Sequence, residues 1–182
     1  MKTIEELVAQ VAKNVGAAQP APRPAQKPVE IKPTPIPQEV KSVPKVTYTG
    51  KMTLDLAKQA ARAAEIAAGK IGIKVVVAIC DEGANLVLLH AMDDSYIASI
   101  KAAQDKAYTA VALKMPTHVA LKESRGGALD GLTNGNGILL LGGGFPLEGG
   151  NKIYGGIGVS GGTKEQDTLI AAVAKEVLKH CQ

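Results

Sequence analysis

Ile4, Leu7, Val8, Val11, Ala12 and Val15 recur at the three-and-four spacing of one helical face, with Glu5, Glu6, Gln10, Lys13 and Asn14 opposite them. The pattern predicts a short amphipathic helix over residues 1–16. Thr3 followed by Glu6 reads as a capping box at its start, and Gly16 suits the position just past its end. The periodicity then stops. Residues 17–50 read as an extended, semi-rigid linker, since positions 17–45 hold eight of the ten prolines and few large apolar groups. A helix of about four turns is marginal alone in water. The linker holds it away from the rest of the chain, which favours a separate partner as the target of Ile4, Leu7, Val8, Val11 and Val15 over the chain's own domain.

From residue 51 the apolar pattern resumes and predicts one domain to residue 182. Thr53 caps a helix through the Ala-rich "LDLAKQAARAAEIAAG", which stops at Gly69. "IKVVVAIC" and "NLVLLHA" come next as strands, and the "DEGA" turn between them is short enough for an antiparallel hairpin. A further helix opens at Asp94 or Ser95 and ends near Pro116, and a short one runs from Thr117 to about Ser124. After a glycine-rich stretch come three strand candidates, "GILLL", "FPLE" and "KIYGGIGV". Thr163 with Gln166 forms a second capping box, opening a last helix with Leu169, Ile170, Val173, Ala174, Val177 and Leu178 on one stripe. The order is helix, two strands, two helices, three strands, helix.

One stretch invites a different reading. "YGGIGVSGGTKEQD" contains Gly156-x-Gly158-x-x-Gly161 between a strand and a helix, the outline of a dinucleotide-binding fingerprint. That fold needs another strand after the helix, with an acidic residue at its end about 20 residues on. Only 21 residues remain after Gly161, and the last helix takes them all. Nor does "LEGGNK" carry the Gly-Lys-[Ser/Thr] of a phosphate loop. Two readings of the remaining physics stay open: the amides of Gly161, Gly162 and Thr163 cap the helix, or they hold an anionic group such as a ligand carboxylate.

Charge and composition narrow the classes further. The formal charge of +4 divides into 7 Lys/Arg against 4 Asp/Glu in residues 1–50 and 14 against 13 beyond, so the domain is nearly neutral. With five aromatic residues and no basic stripe, nucleic acid is not an expected partner. Cys80 and Cys181 are too few and too far apart for a disulfide framework or a cysteine-type zinc site. No apolar run of the roughly 18 residues needed to span a bilayer occurs, and no signal-peptide order is seen, so a cytoplasmic protein with no membrane partner is expected.

"VVVAICDEGANLVLLHAMDDSYIASIKAAQDKAYTAVALKMPTH" together with "LLGGGFPLEGGNKIYGGIGVSGGTKEQD" closely resembles the haem-binding GlcG/HbpS-like family, which includes the C-terminal domain of PduO-type corrinoid adenosyltransferases. The resemblance covers about residues 51–180. It implies an α+β, profilin-like fold, a five-stranded antiparallel sheet flanked by helices, assembled into homo-oligomers, with haem as the cofactor. The adenosyltransferase domain of PduO-type proteins has no counterpart in this sequence, so corrinoid adenosylation does not carry over. Residues 1–16 with their linker resemble the encapsulation peptides of bacterial microcompartments. That resemblance implies a cargo protein in the compartment lumen, whose first helix meets a shell protein or a co-encapsulated enzyme.

Under this resemblance the histidines become candidate iron ligands. His118, at the start of the short helix, is the metal candidate. His90, closing the second strand, fits a ligand or a rim residue, and His180 suits the favourable end of the helix dipole. Relatives with a histidine on the first domain helix find no counterpart in residues 53–69. Tyr108, Lys106 and Tyr96 are further pocket candidates, with a core tyrosine or a surface lysine as the plainer readings, and Gly161, Gly162 and Thr163 would border the cofactor. No catalytic constellation stands out: Asp93 and Asp94 are adjacent rather than convergent, and the histidines lack zinc-helix spacing. The sequence leaves open a haem-binding accessory protein, a cofactor-free scaffolding cargo, or an enzyme acting on haem or a small metabolite.

Overall fold

The computed structural model describes residues 50–149 and 152–179. The helix expected over residues 1–16, its linker, His180 and Cys181 lie outside the described residues.

Helix α1 spans Leu54–Lys70. The Thr53 hydroxyl accepts the Leu56 amide at 3.2 Å, as the cap reading requires. Its buried face is almost entirely alanine (Ala57, Ala60, Ala61, Ala63, Ala64 and Ala68), so its backbone lies close to what it covers. Strands β1 (Val76–Asp81) and β2 (Leu86–Ala91) form the expected antiparallel hairpin, with a bulge between Ile79 and Cys80. Its turn is held by Asp81, whose Oδ1 accepts the Gly83 and Asn85 amides at 2.9 Å each.

Helix α2 spans Ile97–Ala112 and α3 spans Thr117–Glu123. The α2 start falls after the expected Asp94 or Ser95, because Asp94 takes a left-handed backbone conformation (φ 64°) that a helix cannot contain. Strands β3 (Gly144–Gly149) and β4 (Lys152–Ser160) precede α4 (Lys164–Lys179). The second capping box is present: the Gln166 carboxamide accepts the Thr163 amide at 2.9 Å, and Thr163 Oγ1 accepts the Gln166 amide at 3.2 Å.

The described residues form one antiparallel sheet of four strands in the order β2-β1-β4-β3, not five. "GILLL" contributes no strand. Its backbone is taken up locally: the Leu139 amide donates to Thr109 Oγ1, the Leu140 amide to Asn134 Oδ1, and Gly135 pairs with Ile138 in an isolated bridge. The expectation from hydrophobicity and flanking glycines therefore gives way to side chains that capture the ladder donors first.

One face of the sheet carries α1 and α4. Leu56, Val77, Ile79, Leu147, Tyr154, Ile157, Val159, Ile170 and Leu178 belong to its core. The other face carries α2 through a smaller cluster of Val76, Ala78, Cys80, Ala103 and Ala107. That smallness is the work of glycine. A methyl group added at Gly158 would fall 1.9 Å from the Ala103 carbonyl oxygen, and one at Gly156 would fall 2.7 Å from that of Ala107. The Gly156-x-Gly158 spacing thus leaves bare backbone on alternate positions of β4, against which the α2 backbone lies directly.

Candidate functional site

The short loop after α2 positions His118. Thr117 is buried and accepts the Gly144 amide on its Oγ1 at 2.9 Å, fixing the first turn of α3 to the start of β3. His118, the next residue, is exposed, and its ring lies 5.5 Å from that of Phe145 at a tilt of 51°. Partial burial lowers the His118 pKa below its ordinary 6.5, so the imidazole is neutral at pH 7, the form that donates a lone pair to a metal. Lys175 of α4 reaches the same Phe145 ring, with Nζ 5.8 Å from its centre, while pairing with Glu148 at 3.0 Å.

His90 is placed quite differently. It stands exposed on β2, and its Nδ1 lies 2.7 Å from Glu65 Oε1 on α1. β2 and β3 are opposite edges of the sheet, three strand spacings or roughly 14 Å apart. The α1 and α4 helices, packed together, cover the strands between them. The two histidines therefore stand at opposite edges of the sheet, each with its own partner.

Tyr108 is partly exposed, and its ring covers Gly137, whose added methyl group would meet it at 3.2 Å. Tyr96 is exposed at the entry to α2. Lys106 is not a surface residue: it is fully buried, and Nζ donates to the Val159 carbonyl and to Asp167 Oδ2, both at 2.8 Å. Burial pulls the Lys106 ammonium below its ordinary pKa and pushes the Asp167 carboxyl above its own, each opposed by the charge of the other. The Gly162 amide donates to Asp167 Oδ1 at 2.8 Å and the Thr163 amide to Gln166, so side chains of α4 engage both of these donors, and Gly161 lies beside the same carboxylate.

Sequence reasoning missed Phe145, Lys175, Asp167 and Glu65, the partners of His118, Lys106 and His90. Each is separated from its partner by 25 to 61 residues where a hydrogen bond joins the pair, so no local spacing announces it. Cys80 is buried, with its thiol pushed up to about 11 by desolvation, and is chemically quiet. Among the described residues no group of three or more His, Cys, Asp or Glu is placed to hold a metal ion, and no helix is long and apolar enough to cross a membrane.

The family model described as "Haem degrading protein HbpS-like" matches residues 52–176. An uncharacterized 15.0 kDa protein of Citrobacter freundii, from a dhaT-dhaS intergenic region, is 42% identical over 126 residues, covering 68% of this chain and 89% of that one. The corrinoid adenosyltransferase PduO of the same organism is 36% identical over 119 residues, and there the match spans only 36% of the relative's length. Among solved structures, a PduOC:heme complex superposes with a TM-score of 0.66 at 34% identity, covering 70% of this chain and 94% of that one. HbpS superposes with a TM-score of 0.65 at 33% identity, covering 74% of this chain and 94% of that one.

Proposed function

The chain belongs to the HbpS-like family, and on that premise we propose that it is a haem-binding accessory protein whose iron is met by His118. The observation that carries the reading is the likeness to the PduOC:heme complex over most of the domain. The chemistry of the residues is compatible with it. Porphyrin iron brings four nitrogen ligands of its own, so a single neutral, exposed imidazole would suffice to hold it. His118 has that character, and Phe145 beside it supplies flat apolar surface. When bound, haem would supply iron-centred redox or ligand-binding chemistry; the chain's own part is to hold and orient it. Lys106, Gly161, Gly162 and Thr163 serve this reading as support: the buried pair with Asp167 fixes α2 to the start of α4.

The reading includes a profilin-like domain over residues 51–182 that self-associates. It also includes residues 1–16 as a targeting helix, whose Ile4, Leu7, Val8, Val11 and Val15 meet a microcompartment shell protein or a co-encapsulated enzyme. The resemblance to encapsulation peptides and the kinship with PduO support that part.

The test is optical. The purified full chain with added hemin should give a sharp Soret band saturating near one haem per chain. His118→Ala should shift or abolish it, and His90→Ala should leave it in place. An unchanged spectrum in His118→Ala removes the ligand assignment, and no band at all removes the haem reading. Loss of the band on adding ascorbate in air would mark haem breakdown rather than carriage. A fluorescent reporter carrying residues 1–45 should concentrate in compartments; diffuse signal overturns the targeting reading.

A further inference from the structure

Away from His118, an open cleft of about 350 Å³ lies between α1, the entry to β1 and the end of β2. Ile66, Ala91 and Met92 give it apolar walls, and Arg62, Glu65, Lys74 and Asp93 give it charge. Glu65 is already engaged: Arg62 Nη1 lies 3.6 Å from one carboxylate oxygen, and His90 lies 2.7 Å from the other. Lys74 and Asp93 are different. Both are exposed, and among the described residues neither has an ion-pair partner within 4 Å, including each other.

Opposite charges that line one cavity without meeting describe the ends of a complementary ligand. A simple anion would gain from Lys74 and Arg62 but would face Asp93, and a simple cation would meet the reverse penalty. We propose that this cleft binds a small amphoteric molecule, a carboxylate and a protonated amine at opposite ends of a short hydrocarbon chain. The carboxylate lies on Lys74 and Arg62, the ammonium on Asp93, and the chain over Ile66 and Met92. The volume sits at the small end of the roughly 300–1,000 Å³ typical of ligand sites, and the cleft shares no lining residue with the His118–Phe145 site, so its test does not depend on the haem reading. Exposed ion pairs are individually weak, which sets the affinity at about the millimolar level.

The test uses the full chain, isotope-labelled for amide NMR and titrated with γ-aminobutyrate, butyrate and butylamine. Saturable shifts are expected at Lys74 and at Ala91 to Asp93, with γ-aminobutyrate binding about tenfold tighter than either singly charged probe. Lys74→Gln should remove its advantage over butylamine, and Asp93→Asn its advantage over butyrate, with amides elsewhere in the spectrum unchanged. No saturation, equal binding of the three probes, or a preference that survives both variants overturns the proposal.

Discussion

The Lys106 ammonium on α2 lies 2.8 Å from the Asp167 carboxylate on α4, and both side chains are sealed from solvent. The pair also satisfies the Val159 carbonyl and the Gly162 amide, so two helices from opposite faces of the sheet are tied around one end of β4.

Removing one member leaves the other charged and buried. Asp167→Asn is expected to destabilise the fold by about 3–5 kcal/mol, read by urea unfolding. Combining it with Lys106→Met should recover part of that loss, since the stranded ammonium is then gone. A double variant less stable than the single one by the full cost of Lys106→Met would mean that the two groups do not act as a pair.

Gly158 carries the α2 contact. Gly158→Ala would drive a methyl group into the Ala103 carbonyl at 1.9 Å, a backbone neighbour that no rotamer change can move. The expected cost is at least about 1–3 kcal/mol, and thermal unfolding would show it. Gly72→Ala is the control for lost backbone freedom: Gly72 has φ 71° but open space around it, so its penalty is conformational alone and smaller.

Asp81 gives the hairpin a dependence on acid. Slight burial pushes its carboxyl up, but hydrogen bonds from the Asn85 amide and side chain and from the Gly83 amide outweigh this and hold it below the ordinary 3.8. A depressed folded-state pKa contributes stability that is complete above 3.8 and is lost as pH falls through the lower folded value. Unfolding free energy measured from pH 6 down to pH 2 should therefore fall less steeply below pH 4 in Asp81→Asn than in the parent chain.

His118 gives the proposed haem site a limit of its own in acid. Burial keeps its folded pKa below 6.5, so the neutral ligand form persists as pH falls to 6.5 and disappears only below it. Hemin affinity followed at the Soret band should hold from pH 8 to pH 6.5 and decline under more acidic conditions. A decline that is unchanged in His118→Ala would assign it to another group.

Helices α1 and α4 are legible in the sequence because their signals are local. Thr53, Thr163 and Gln166 cap as read, and the alanine-rich face of α1 is buried. The antiparallel pairing of β4 with both β1 and β3 refuses Gly156-x-Gly158-x-x-Gly161 as a nucleotide loop, and its positive role, the approach of α2 to β4, needs a register that only the fold supplies. "GILLL" fails as a strand because Thr109 and Asn134 intercept its amides, and Thr109 lies 30 residues away from the amide it takes. Lys106 reads as a surface lysine because nothing within a few residues of it hints at Asp167.

The placement of the two described histidines has a consequence for motion. Among the described residues β1 and β4 are paired on both sides, whereas β2 and β3 are each paired on one, so hydrogen exchange should be slowest in the centre and fastest at the rims. His90 stands on one rim and His118 beside the other. The sheet can thus breathe beside the proposed haem site without loosening the strands that keep the molecule folded.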